Sequence, residues 1–180
     1  MQPSPLALPG EASLAVPSAR PLTLGVGGLA LFGFALRTAV AHEGLGAAHF
    51  GWALALPGAL LLAWTLCLPA LYILWASHQP TLTAARCGQA ALEAVETSGA
   101  CLASTAPILW FFAATAPESR VVAPLALLFT GLALVAGGAV FGAALRRHGA
   151  PFQGFTKLAF LGLYALTFAQ CAHGLGLRWS

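Results

Sequence analysis

The 180-residue sequence contains no aspartate, and its five acidic residues are all glutamates. Only 7% of the chain is charged, against about a quarter in an ordinary soluble domain. The basic side is equally thin, with eight Lys and Arg and a formal net charge of +3. So few dispersed cations make no patch for a phosphate backbone, which excludes nucleic acid as a partner. The four cysteines (Cys67, Cys87, Cys101 and Cys171) form no CxxC pair and show no zinc-like spacing. Three of them lie in apolar runs, where a thiol packs as a small hydrophobe. No Walker loop, no GxSxG and no Ser-His-acid order in one aqueous compartment is present, so catalysis has no motif to rest on.

What the chain does have is apolar surface. Hydrophobic residues make up 59% of it and the mean hydropathy is +0.83. A chain this short has too little aqueous core to hide that surface, and the solvent that accepts it is lipid. The expected fold is therefore all-α: a polytopic bundle of five transmembrane helices over residues 22–180. Residues 1–21, rich in Pro, Ser and Ala, read as a flexible cytoplasmic tail.

Five apolar runs set the expected spans. The first is Leu22 to Ala41, with Arg37 near its far end and Glu43 just beyond it. An alternative reading makes this run a secretory signal cleaved after Ala39-Val40-Ala41. The second, Phe50 to Ser77, carries no charge and contains Pro57 and Pro69, with Thr65 placed to help satisfy freed carbonyls. Trp52 at one end and Tyr72 and Trp75 at the other mark two interfacial belts. The third covers Thr83 to Phe112, the fourth Val121 to Arg147, and the fifth Phe155 to Trp179. Arg20, Arg86, Arg146, Arg147 and Lys157 flank the same side, which the positive-inside rule makes cytoplasmic. The N-terminus is then inside, the C-terminus outside, and the membrane a bacterial inner membrane.

The third run carries the most informative polar residues. On a helix from Thr83 to Phe112, Arg86, Gln89, Glu93 and Glu96 recur at three- and four-residue steps and share one face. Thr97, Ala100 and Ser104 extend the stripe. Such a helix is about 45 Å long against roughly 30 Å of hydrocarbon. With Trp110, Phe111 and Phe112 anchoring one end, Glu93 falls near the cytoplasmic boundary and Glu96 about a turn inside it. One reading is an amphipathic lead-in whose carboxylates pair with Arg86, or with Arg146 and Arg147 across the bundle. The other is an ion or proton site formed by Glu93, Glu96 and Arg86, since intramembrane acids are costly.

Two weaker patterns remain. His42, His49 and His173 fall at the outer ends of spans one, two and five, where imidazoles can bind a metal or haem iron, although no HExxH-type spacing accompanies them. Gly138 and Gly142 form a GxxxG in span four, and Ala165 and Ala169 repeat the small-xxx-small spacing in span five, which predicts contact between those helices.

Leu56 to Leu74 ("LPGALLLAWTLCLPALYIL") and Ala106 to Phe112 ("APILWFF") resemble stretches of bacterial multi-pass membrane proteins. The five-span layout behind a Pro-bearing tail is similar to the Yip1-like membrane proteins. That resemblance implies a non-enzymatic helical bundle acting through partners in membrane organisation, with no catalytic residues. The first functional expectation is accordingly a non-catalytic accessory or scaffold protein without a cofactor, partnered by the lipid bilayer and by other membrane proteins or itself. A small proton- or cation-coupled transporter using Glu93 and Glu96 is the second. A metal- or haem-binding electron-transfer subunit using the outer histidines is the third.

Overall fold

The computed structural model of the chain describes residues 19–41, 46–76, 83–115, 121–147 and 155–175, and every described element is a helix. These are α1 (Ala19–Ala41), α2 (Ala47–Ala76), α3 (Ala84–Thr115), α4 (Val122–Arg147) and α5 (Phe155–Gly174). The all-α expectation holds. Ala and Leu dominate the helices and favour helical backbone, and a helix satisfies its own N–H and C=O groups where no water is at hand. Three helices, α2, α3 and α4, are long and apolar enough to cross a membrane. Shorter apolar stretches of 17 residues lie within α1 (Leu22–Thr38) and α5 (Leu158–Gly174). The expected tail lies mostly outside the described residues, but α1 begins at Ala19 and takes in its last three positions. Pro21 is tolerated there because the first helical N–H groups have no partner inside the helix.

Local chemistry fixes the helix starts. Thr83 caps α3, its Oγ1 accepting the Arg86 N–H at 3.4 Å. His49 does the same for α2 from within, its Nδ1 accepting the Gly46 N–H at 3.2 Å. α2 runs unbroken through Pro57 and Pro69. The Thr65 hydroxyl donates to the Leu61 carbonyl at 2.8 Å, one turn before the carbonyl that Pro69 frees. Its expected role at Pro69 is therefore corrected.

The arrangement places α3 at the centre, with α1 on one flank and α4 on the other, α2 behind α1, and α5 against α2. Buried residues on α3 recur at three- and four-residue steps from Cys87 through Ala94, Ser98 and Leu102 to Ala113. Two kinds of contact hold the bundle. Between α1 and α3 the backbones touch. A Cβ added to Gly25 would come within 2.9 Å of the Val95 carbonyl oxygen, and one added to Gly28 or Gly99 would collide with the facing backbone. Beside α4, the same is true of Gly137, which faces Ser98 and the Ala94 carbonyl. The Ser98 hydroxyl donates to the Ala133 carbonyl across this interface at 3.0 Å.

On the other side, side chains fill the space. Trp64 of α2 lies 4.9 Å from Phe141 of α4 and 4.7 Å from Tyr164 of α5, ring centre to ring centre. Phe160 stacks on Phe141 at 5.3 Å. All four rings are buried. Among the described residues, the Trp64 indole N–H and the Tyr164 hydroxyl have no hydrogen-bond partner.

The contacts also give the helix directions. Gly25 faces Val95 while Gly28 faces Gly99 and Ala103, so α1 and α3 run parallel. Ser98 meets Ala133 and Glu93 meets Arg147, so α3 and α4 run antiparallel. Gly58 faces Leu175 and Cys67 faces Thr167, so α2 and α5 are antiparallel too. The outer surface is lined with exposed Leu24, Leu54, Leu66, Ile73, Val135 and Leu158, among others. A patch of that extent is foreign to a water-facing monomer.

Candidate functional site

The stripe on α3 presents its polar residues outward, not into the bundle. Arg86 and Gln89 are exposed on the first turns, Glu93, Glu96 and Thr97 are partly buried, and Ala100 and Ser104 are exposed. The face that looks inward carries Ala, Val, Leu, Cys87, Ser98 and Gly99 instead.

Glu93 is engaged. Its Oε2 accepts a hydrogen bond from Arg147 Nη2 of α4 at 3.2 Å, an ion pair in which both side chains remain about half exposed. The last residue of α4 is thereby tied to the third turn of α3. Its contribution is small, about 0.2–1 kcal/mol, because solvent screens an exposed pair. Thr97 turns its hydroxyl back to the Glu93 carbonyl at 2.9 Å, so its polarity is spent within the helix. Ser104 does likewise with the Cys101 carbonyl at 2.7 Å.

Glu96 stands one turn deeper. Its Cα lies against the α1–α3 crossing, where a Cβ on Gly25 would come within 3.0 Å of it. Among the described residues its carboxylate has neither an ion pair nor a hydrogen bond. Glu93 and Glu96 therefore share a face but not an environment. Arg86, two turns before Glu93, is exposed and has an interaction of its own.

The histidines are dispersed along the bundle. His42 lies outside the described residues. His49 is buried at the start of α2, its ring 5.4 Å from Phe34 of α1, with Nε2 lacking a partner among the described residues. His173 is exposed in the last turn of α5. Leu175 packs over Gly58, which sets the end of α5 nine residues, or about 13 Å, along α2 from His49. Among the described residues no group of three His, Cys, Asp or Glu is placed to hold a metal ion. The four cysteines are free thiols, and Cys67 donates weakly to the Thr167 hydroxyl at 3.6 Å.

The packing residues divide. Gly138 and Gly142 are buried, and the Leu161 side chain of α5 occupies the space beside Gly138. Ala165 and Ala169 are exposed and face away from α4. α5 packs instead through Phe160, Tyr164, Phe168 and Ala172, against α2 more than against α4. The contact expected through the alanines is corrected: bulky rings hold the α4 and α5 backbones apart, so small residues have nothing to approach.

Sequence reasoning missed Gly25, Gly28 and Gly99, the Ser98 hydrogen bond and the ring cluster about Trp64. It also missed a groove of about 310 Å³ between α1 and α3, lined by Leu31, Phe34, Ala35, Ala106, Pro107 and Trp110. The Gly25-x-x-Gly28 spacing is the signal that was there to find. No protein family, curated protein or solved structure matches the chain.

Proposed function

We propose that the chain is a five-span, non-catalytic integral membrane protein that serves as an accessory or scaffold through contacts with other membrane proteins or with itself. The observation that carries this reading is the Glu93–Arg147 pair. One of the two carboxylates with a claim to chemistry is spent on joining two helices, and the hydroxyls of Thr97 and Ser104 on the same stripe bond their own backbone. A bundle whose polar groups are used this way is built to hold a shape. The role matches the membrane-organising one that the Yip1-like resemblance implies.

Topology enters the proposal through helix direction. Parallel α1 and α3, with α4 antiparallel to α3, bring the start of α3 and the end of α4 to one end. That end carries Arg86, Arg146 and Arg147, and the first turns of α1 and α5 contain the positions of Arg20 and Lys157. We assign it to the cytoplasm of a bacterial cell by the positive-inside rule. α1 and α5 complete the crossing with the help of the residues that flank their 17-residue apolar stretches.

The test is purification in mild detergent. The scaffold reading expects stoichiometric co-purification of another membrane protein or of a second copy, and a solitary monomer would refute it. Reporter fusions at each terminus check the topology, and both termini on one side would overturn the five-span assignment. The transporter reading draws on the unpaired Glu96 carboxylate. It requires a cation- or proton-dependent flux in vesicles that Glu96→Gln abolishes while insertion is retained.

A further inference from the structure

Two charged side chains of opposite sign, Glu96 on α3 and Arg146 on α4, have no ion pair or hydrogen bond among the described residues. They point to different sides of the bundle. Arg146 is nine residues, or two and a half turns, beyond Gly137, and so lies on the face of α4 opposite the one that meets α3. Exposed Leu128, Leu132, Val135 and Ala139 lie along that same face at three- and four-residue steps, and Arg146 follows seven residues, or two turns, after Ala139. This is an apolar ridge ending in a cation.

The side of α3 that borders α1 has the complementary form. Glu96, Ala100, Ala103, Pro107 and Trp110 recur at alternating four- and three-residue steps, the spacing of a helix-docking seam. At the Glu96 end the seam is shallow, because Ala100 and Ala103 are small and Gly27 of α1 beside them is exposed, with nothing within 4 Å of where its Cβ would be. At the other end it opens into the 310 Å³ apolar groove between α1 and α3. This is a seam with an anion at one end and a receptacle for aliphatic side chains at the other.

We infer that the α1–α3 seam is the docking site for α4 of a second copy of this chain, with Arg146 of the incoming copy on Glu96 and Leu128 and Leu132 over the groove. This rests on the membrane reading and deepens the scaffold proposal by naming the partner. Depth and direction agree. Copies inserted in one membrane share orientation, so the incoming α4 runs antiparallel to α3 as the chain's own α4 does. Arg147 already reaches Glu93; Glu96 is about 4.5 Å farther along the helix and Arg146 starts about 1.5 Å nearer, which leaves about 3 Å more for the incoming pair to cover. A two-fold packing of α3 on α3 is disfavoured by charge, since it would set Glu96 against Glu96 with no cation between them. The contact is therefore head-to-tail, one face of the molecule on a different face of its neighbour.

The test uses full-length chains carrying donor and acceptor fluorophores, reconstituted together in liposomes at high lipid dilution. Energy transfer between wild-type copies should exceed that of randomly diluted labels. Glu96→Arg alone and Arg146→Glu alone should each weaken association at least tenfold. The two reversals combined in one chain should restore it. Flotation and helicity verify that each variant is inserted and folded; a reversal that misfolds is replaced by Glu96→Gln and Arg146→Gln, which should weaken association in the same direction. Transfer at the random level, reversals without effect, or no rescue by the double variant would each overturn the inference. A monomer that captures a different membrane protein would also sink it while leaving the scaffold reading intact. Failure to float with lipid would sink both.

Discussion

The two halves of the bundle solve the same problem in opposite ways. Along α1, α3 and α4, glycines at positions 25, 28, 99 and 137 bring the helices so close that a Cβ added at any of them would not fit. Among α2, α4 and α5, four rings about Trp64 keep the backbones apart and fill the gap themselves. In lipid, burial of apolar surface gives little drive for helices to associate, because the tails are as apolar as the side chains. What remains is shape. The first half uses close approach, which adds dispersion contacts and an inter-helix hydrogen bond at Ser98. The second uses large, rigid surfaces, and leaves an indole N–H and a phenol hydroxyl with no described partner. Close approach tolerates no added atoms; ring packing tolerates no missing ones.

That contrast can be broken from either side. The largest effect is expected for Gly99→Leu, whose side chain would have to displace the α1 backbone at Gly25. The cost should exceed the about 1–3 kcal/mol of ordinary overpacking, and the variant should fail to accumulate or unfold at far lower temperature in detergent. Trp64→Ala should follow, at about 3 kcal/mol, by removing the ring common to three helices. If Trp64→Ala proves the more damaging of the two, the rings and not the glycines organise the bundle. Ser98→Ala should cost about 0.6 kcal/mol, the average of a hydrogen bond between membrane helices, as read by steric or thermal unfolding. Glu93→Gln should cost less than about 1 kcal/mol, and that loss should shrink as salt is raised. Smallest of all, Tyr164→Phe should be neutral or slightly stabilising, since it removes a hydroxyl that has no described partner.

Much of this fold was legible because lipid imposes a length. Apolar runs of about 20 residues announce helices wherever they fall, and the extended α3 followed from the steps between Arg86, Gln89, Glu93 and Glu96. A pairing of its carboxylates with the arginines at the end of α4 could also be foreseen, because the apolar runs put the start of α3 and the end of α4 at one end of the bundle. What periodicity does not encode is the neighbour. Ala165 and Ala169 share a face by spacing, yet spacing cannot say that the face is outward. Gly25 and Gly99 belong to helices that are not adjacent in sequence, and among 20 glycines neither stood out. His49 and His173 were grouped because their helices end on the same side; the offset of α5 along α2 separates them. Glu96 was seen as a deep acid, but its isolation depended on where Arg147 turned.

The parallel crossing of α1 and α3 bears on how the protein is made. On the five-span proposal, a chain emerging from a ribosome releases α1 and then α2 into the bilayer before α3 exists, so the close α1–α3 interface lacks one of its two surfaces during early synthesis. Until α3 arrives, the groove left by Gly25 and Gly28 must be lined by lipid, a loosely held occupant that can be displaced. Assembly should therefore be late and concerted, with chains truncated before Thr115 degraded far faster than the complete protein.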